Sequence, residues 1–257
     1  MKWLALVAFA AASTGALAAQ APAVPIITDR PDFTESSSLV PAHRLQFESG
    51  YTWTEASRSS GGGGSGTWPE LLVRYGLSRR LELRLGESYT SISPPVGQGR
   101  RFTARDDLYL GMKIALGVQR GSRPQFAILA QATLPTGDAR TTANATLPGL
   151  GLLAGWVLSP QWSLDLGVEV NRVQGDAWEL APSASLSHSF SARLGGFTEW
   201  YGLIPLQSGS GAATPHHADA GLFLLLSPDL QLDARVGAGL NDAADRYFFG
   251  FGFAIRR

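Results

Sequence analysis

The 257-residue chain contains no cysteine. That removes disulfide frameworks, thiolate metal sites and lipid attachment at an acylated cysteine. Charge is scarce as well: Asp, Glu, Lys and Arg make up 16% of the residues, against roughly 25% in ordinary soluble domains. The 21 basic residues balance 21 acidic ones, so no basic surface recommends nucleic acid as a partner. Long apolar runs are missing: after the first few residues nothing approaches the roughly 20 apolar positions of a transmembrane helix. The glycine run Gly61 to Gly64 is not followed by the Lys and helix of a phosphate-binding loop. No residue pattern calls for a cofactor or a resident metal.

What is present is strict alternation. From Leu230 to Leu240 the even positions are Leu, Leu, Ala, Val, Ala and Leu, and the odd ones are Gln231, Asp233, Arg235, Gly237 and Gly239. After a short polar break, Tyr247, Phe249, Phe251, Phe253 and Ile255 form one face, and Phe248, Gly250, Gly252, Ala254 and Arg256 the other. A period of two means β-strands with one apolar and one polar side. One such pair fits a soluble sandwich or barrel as readily as a membrane wall. Recurrence and compartment separate the two.

The compartment is read from the N-terminus. Met1-Lys2, the apolar run Trp3 to Ala12 and the small residues ending Ala16-Leu17-Ala18 have the three parts of a cleaved secretory signal. Residues 1–18 are therefore expected to be a signal peptide.

The recurrence is a turn motif: Leu77-Ser78-Arg79-Arg80-Leu81, Leu158-Ser159-Pro160-Gln161-Trp162, Leu186-Ser187-His188-Ser189-Phe190 and Leu226-Ser227-Pro228-Asp229-Leu230. Gaps this short, rich in turn-forming residues, join antiparallel neighbours. Reading the alternation outward gives about twelve strands, near residues 44–54, 69–77, 81–90, 106–118, 125–134, 148–158, 162–171, 178–187, 190–202, 217–226, 230–240 and 246–256. Most have about ten residues, enough for a tilted strand to cross a bilayer. Short turns alternate with longer polar loops such as 93–101 and 135–147. Aromatics gather near strand ends (Tyr51, Trp53, Tyr75, Tyr89, Trp156, Trp162, Trp178, Trp200) as interfacial girdles require. The expected fold is all-β: a single transmembrane antiparallel up-and-down barrel over residues 44–257, with short periplasmic turns, longer extracellular loops and outer-membrane lipid around it. Glu87 on the apolar face, and Phe197 and Leu225 on the polar one, break the pattern.

In such a barrel the polar face lines the lumen, where ionisable groups must meet one another or water. The alternation assigns Glu48, Glu70, Arg74, Glu82 and Arg84 to that lining in the first strands. Asp107, Lys113, Asp165, Glu169 and Glu179 follow, and Arg193, Glu199, Asp219, Asp233 and Arg235 complete the set. Ten of the fifteen are acidic, a lean toward cations or neutral solutes. Equally, the same groups could be a salt-bridge web that only braces the wall. Residues 19–43 have no place in the wall. Their polar stretch Asp29, Arg30, Asp32 and Glu35, with Phe33 as an apolar anchor, suits either a solvated periplasmic segment or a plug entering the lumen from below, in which Arg30 would pair with Glu48 or Glu199.

The chain also resembles a known family, the outer-membrane β-barrel transporters associated with the meta-pathway of phenol degradation. The resemblance is carried by Thr28-Asp29-Arg30-Pro31-Asp32-Phe33-Thr34-Glu35-Ser36, by Arg44-Leu45-Gln46-Phe47-Glu48-Ser49-Gly50-Tyr51, by Asp107-Leu108-Tyr109-Leu110-Gly111-Met112-Lys113, by Leu134-Pro135-Thr136-Gly137 and by Leu232 to Asp242. It implies an outer-membrane barrel of a Gram-negative bacterium that moves small solutes, aromatic or hydrophobic ones among them. It also implies insertion by the barrel assembly machinery. Barrels of this kind end on an aromatic, whereas this chain ends Ile255-Arg256-Arg257, leaving Phe253 as the available signal.

Two other readings stay open. One is a structural or adhesive barrel without transport. The other is a membrane-embedded lipid-modifying enzyme, for which the candidate group is His216, His217 and Asp219 with Ser208 and Ser210.

Overall fold

The alternating C-terminal strands resolve the choice between a soluble and a lipid-facing wall. Tyr247, Phe249, Phe251 and Phe253 are exposed, Phe251 to 55%, while Phe248 and Ala254 between them are buried. The same inversion runs round the molecule: Leu110 and Leu116 face outward and Lys113 is wholly buried; Leu150 and Leu152 face outward and Leu153 is buried. An aqueous solvent would select the opposite arrangement. A continuous outward apolar band with polar groups inside is what hydrocarbon selects.

The structure, a computed structural model, describes residues 24–57, 61–95, 97–207 and 214–257. The signal-peptide reading of residues 1–18 lies outside them, as do Ser208 and Ser210. The strands are β1 (Leu45–Glu55), β2 (Gly64–Thr67), β3 (Leu71–Gly76), β4 (Leu81–Glu87), β5 (Tyr89–Ser93), β6 (Phe102–Arg105), β7 (Leu108–Gly117), β8 (Gln125–Leu134), β9 (Leu147–Val157), β10 (Trp162–Val173), β11 (Ala177–Ser189), β12 (Leu194–Gly202), β13 (Ile204–Pro205), β14 (His216–Ser227), β15 (Leu230–Gly239) and β16 (Tyr247–Arg256). All pairings between strands are antiparallel. The order β16-β15-β14-β12-β11-β10-β9-β8-β7-β4-β3-β1 closes on itself through β1 and β16, a 12-strand up-and-down barrel. Closure leaves no unpaired edge in the wall, which a lipid surround demands.

Three departures from the sequence reading have local causes. The glycine- and serine-rich stretch before Thr67 pairs as β2 with β1 and β5, so the wall runs on into residues expected to lie between the strands at 44–54 and 69–77. Strand β11 continues to Ser189, and the turn is 190–193, closed by Phe190 and Ser191 amides on the Leu194 carbonyl. The Ser-His-Ser sequence resembled a turn, but His188 is held in the sheet opposite Gly196 and against the Trp162 ring. Phe197 breaks the pattern by packing inward, into space that Gly221 leaves on the neighbouring strand.

The short connections at 77–80, 158–161, 190–193 and 228–229 share one end of the barrel with the described termini. Ile26 donates to the Pro228 carbonyl (2.7 Å), and Leu45 and Arg257 exchange backbone hydrogen bonds. In barrels of this class that end faces the periplasm.

The outward band gives a direct expectation. Phe251→Arg, at mid-strand on the lipid face, should destabilise the barrel by about 2–4 kcal/mol if it lies near the bilayer midplane. The inward-facing Gln231→Arg change should lack this lipid penalty. Equilibrium urea unfolding in lipid vesicles measures both.

Candidate functional site

Residues 24–43 do not trail into solvent; they fold into the lumen and return. The segment starts at the short-turn end, where the Arg256 guanidinium donates to the Val24 carbonyl (2.7 Å). It reaches inward through Asp29 to Glu35 and comes back along Ser36 to Val40. It leaves where the Val40 and Pro41 carbonyls lie against Gly76, so closely that a Cβ there would stand 2.2 Å from the Pro41 oxygen.

The deepest contacts are ionic. Asp29 Oδ2 lies 2.6 Å from Arg84, 3.0 Å from Lys113 and 3.1 Å from Arg74. Arg74 also binds Glu48 at 2.8 Å and Glu82 at 2.8 Å. Glu35 takes the remaining faces of Arg84 (2.7 Å) and Lys113 (3.3 Å). Backbone amides finish the carboxylates: Asp29 and Arg30 donate to Glu48, and Val40 to Glu82 at 2.7 Å. Three cations thus face four carboxylates, and two of those carboxylates come from the N-terminal segment. Burial alone would raise the Asp29 pKa, but the three adjacent cations overcome it and hold the carboxyl well below the usual carboxylate range.

A second contact lies on the barrel's closure seam. The Arg30 guanidinium pairs with Glu70 on one side and, at 3.4 Å, with Asp233 on the other. It occupies room left by Gly50 and Gly252, register partners on β1 and β16; a Cβ at either would meet it at 2.1 Å and 2.7 Å. The expected Arg30 partners are therefore corrected. Glu48 receives the Arg30 amide but gives its charge to Arg74. Glu199 receives the amides of Phe33 (2.7 Å) and Thr34 (2.6 Å) instead of a guanidinium. The pairing is set by the fixed register of β1 against β16, which places Asp233 and Glu70 on opposite sides of the seam.

The third contact is aromatic. Phe33 stacks on Tyr201 with centroids 4.1 Å apart, Tyr201 on His217 at 4.7 Å, and His217 meets the edge of Phe248 at 6.2 Å. Asp32 accepts from Ser185 at 3.1 Å. Burial and the nearby Glu199 carboxylate raise the Asp32 pKa well above its ordinary value.

The remaining assigned residues fall into separate places. Glu169 accepts from Gln131 (2.9 Å) and Asn171 (3.3 Å) on the inner wall. Arg235 lies 3.8 Å from Asp219 and over the Phe248 ring. Asp165 lies on the inner face beside Gly155 and Ser37. Glu179 is high on β11, next to the Pro205 pairing. Two are not part of the lumen cluster. Asp107 binds the amides of Gly137 (2.8 Å) and Ala143 (2.9 Å) and organises the 135–146 loop. Arg193 is exposed on the 190–193 turn, because β11 extends past the turn expected from the sequence. His217 and Asp219 share the inner face without a serine partner among the described residues, and His217 is spent on ring stacking. Gln46, buried and bonded to the Ile27 carbonyl (2.9 Å) and Glu48, belongs to the cluster although the charge pattern did not point to it; its inward parity was the available signal.

The segment leaves part of the lumen open. Between Ser36–Ser38 and the inner faces of β10 to β12 there remains a cavity of about 700 Å³, opening among the short turns and lined by Ser163, Asp165, Ser187, Phe197 and Phe223.

A family model described as "Putative MetA-pathway of phenol degradation" matches residues 28–256. Among solved structures, an outer membrane channel from Pseudomonas putida F1 superposes with a TM-score of 0.64 at 13% identity, over 86% of this chain and 98% of that one. The NanC porin superposes at 0.55 and 8%, over 82% and 98%. The translocator domain of the Neisseria meningitidis autotransporter NalP does so at 0.51 and 13%, over 85% and 90%. At these identities the likeness is one of fold. No curated protein sequence matches the chain.

Two outcomes follow from the charges. Arg74→Met removes the cation shared by three buried carboxylates and should cost about 3–5 kcal/mol, the usual penalty for an orphaned buried charge; urea unfolding in vesicles reads it. Asp32→Asn should act in the other direction near neutral pH. A carboxyl whose folded pKa is raised keeps a proton that the unfolded chain releases, so it costs stability as pH rises above the ordinary carboxylate range. The thermal midpoint of the variant should exceed that of the parent at pH 7, and the gap should close as pH falls below that range.

Proposed function

Since this chain belongs to the MetA-pathway phenol-degradation family over residues 28–256, we propose that it is an outer-membrane channel for small solutes, aromatic or hydrophobic ones among them, whose lumen is narrowed by its own N-terminal segment. One observation carries this reading: the barrel's interior is polar and only partly filled, with a cavity of about 700 Å³ beside the plug. A barrel that served only as an anchor has no need of hydrated space inside the wall, and volumes of roughly 300–1,000 Å³ are typical of small-molecule sites.

The lining supports a neutral or cationic solute over an anionic one. Arg74, Arg84 and Lys113 are committed to buried carboxylates, and Arg30 to Glu70 and Asp233. These cations are not free to attract an anion, and of the cavity-lining groups without an ion pair among the described residues two are acidic, Asp32 and Asp165, and one is basic, Arg193. Phe197 and Phe223 give the same cavity an apolar side.

Planar-bilayer recording tests the reading. The purified protein should give unitary currents, and a variant lacking residues 19–38 should conduct more than the parent. Unchanged current in the truncated form would remove the plug from the account. Absence of both current and liposome swelling would leave a structural or adhesive barrel.

A further inference from the structure

We propose that two adjacent turns on the outside of the barrel, 77–80 and 118–124, form a headgroup site for an anionic phospholipid of the periplasmic leaflet. Arg79, Arg80, Arg120 and Arg123 hold its phosphate, and the apolar residues beside them carry its chain. Conduction is not required for it.

The first support is the placement of the four guanidinium groups. Turn 77–80 joins β3 to β4 and 118–124 joins β7 to β8, and β4 pairs with β7 in the wall. The Ala115 amide donates to the Arg80 carbonyl (3.0 Å), which brings the two turns side by side. All four arginines are exposed, and none has an ion pair among the described residues. Neither turn contains an acidic residue. Asp229, on the turn between β14 and β15, is already taken by Arg44 (3.3 Å) and Arg256 (2.7 Å). Four uncompensated cations on neighbouring turns repel one another, and a bound anion relieves that repulsion.

The second support is the level at which they stand. The turns begin where the outward apolar band ends: Leu77 precedes Arg79 and Arg80, Leu116 and Val118 precede Arg120, and all three apolar side chains are exposed. A lipid chain packed on Leu77, Leu116 and Val118 has its phosphate at the arginines, whose long stems reach the interface. The guanidinium fork binds phosphate oxygens in pairs. A zwitterionic lipid brings its own cation to the same place, so the patch favours a headgroup with net negative charge.

The third support is that the 118–124 turn is held in place. Arg120 and Arg123 exchange backbone hydrogen bonds (3.0 and 3.1 Å), with Gly121 between them at a φ of 57°. Gln119 clamps the turn to β9, donating to the Val157 carbonyl (3.0 Å) and accepting from the Val157 amide (2.7 Å). The Trp156 indole donates to the Ser122 carbonyl (2.9 Å). Arginines on a pinned turn lose less freedom on binding than those on a loose one.

Native mass spectrometry of the detergent-purified protein, titrated with phosphatidylglycerol or phosphatidylcholine, tests the site. The parent should retain phosphatidylglycerol in preference, and the preference should weaken as salt screens the charges. Arg79→Gln/Arg80→Gln/Arg120→Gln/Arg123→Gln should reduce phosphatidylglycerol retention by about tenfold or more. Arg100→Gln/Arg101→Gln, exposed residues beyond β5 at the opposite end, should leave it unchanged. Arg79→Gln/Arg80→Gln alone, on a turn closed by the Ser78 amide on the Leu81 carbonyl, should give an intermediate loss. Heat-modifiable gel mobility checks that each variant is folded. Equal retention of the two lipids by the parent would overturn the site, as would a fourfold variant that keeps as much phosphatidylglycerol as the parent. Stronger retention of lipid A than of phosphatidylglycerol would move the patch to the outer leaflet. Displacement of phosphatidylglycerol by an equal concentration of inorganic phosphate would show a free-anion site with no part for the chain, and would end the lipid assignment.

Discussion

Hydrocarbon outside the wall is the constraint from which the rest of the molecule follows. Every outward position along a strand must be apolar, as Phe249, Phe251 and Phe253 are, so the polar complement of each strand is turned inward. A barrel of twelve strands is too narrow to leave all those inward groups in bulk water. Arg74, Glu48, Glu82 and Lys113 are fully buried, and buried charge is tolerated only when it is paired and hydrogen-bonded. The wall alone cannot do this. Arg74, Arg84 and Lys113 outnumber Glu48 and Glu82, and it is Asp29 and Glu35 of the N-terminal segment that complete the set. The N-terminal segment is thus part of the charge balance of the inner wall.

The period of two made the wall readable from sequence. It marked which residues face lipid, how many staves there are and which faces carry the charge, because side-chain direction in a strand depends only on parity. What parity cannot supply is the partner across the lumen. Arg30 was expected at Glu48 or Glu199 and goes to Glu70 and Asp233, because the destination depends on the register of β1 against β16, set only when the barrel closes. Arg193 was misplaced for a more local reason: Ser187-His188-Ser189 has turn chemistry, yet stacking against Trp162 keeps His188 in the sheet. Asp107 had the right parity but lies where β6 gives way to β7, and loop amides claim it.

The candidate site is legible to a lesser degree than the fold, and again the reason is physical. Each charged residue carries its sign in the sequence, but whether it attracts a solute depends on whether its charge is already spent. Arg74, Arg84 and Lys113 are spent on buried carboxylates, so a count of ten acidic to five basic positions does not tell which charges face the open space. Neutral residues matter as much. Ser163 and Ser187, register partners on β10 and β11, line the open cavity, while the room that Gly155 leaves on β9 is taken up by Ser37 and Asp165.

The N-terminal segment also connects the two ends of the barrel wall. Residues 24–30 reach β15 through Gln231 and Asp233, β16 through Arg256, and β1 through Gln46 and Glu48. These strands flank or form the seam at which the first strand of the barrel meets the last. Arg256, which stands near the C-terminus where barrels of this kind carry an aromatic, points inward and is divided between Asp229 (2.7 Å) and the Val24 carbonyl. A lipid-facing aromatic at that position would have the wrong parity for this task. Because Asp233 and Glu70 come within reach of one guanidinium only when β16 has paired with β1, the N-terminal segment can complete its docking only on a closed barrel, and once docked it holds that closure from inside.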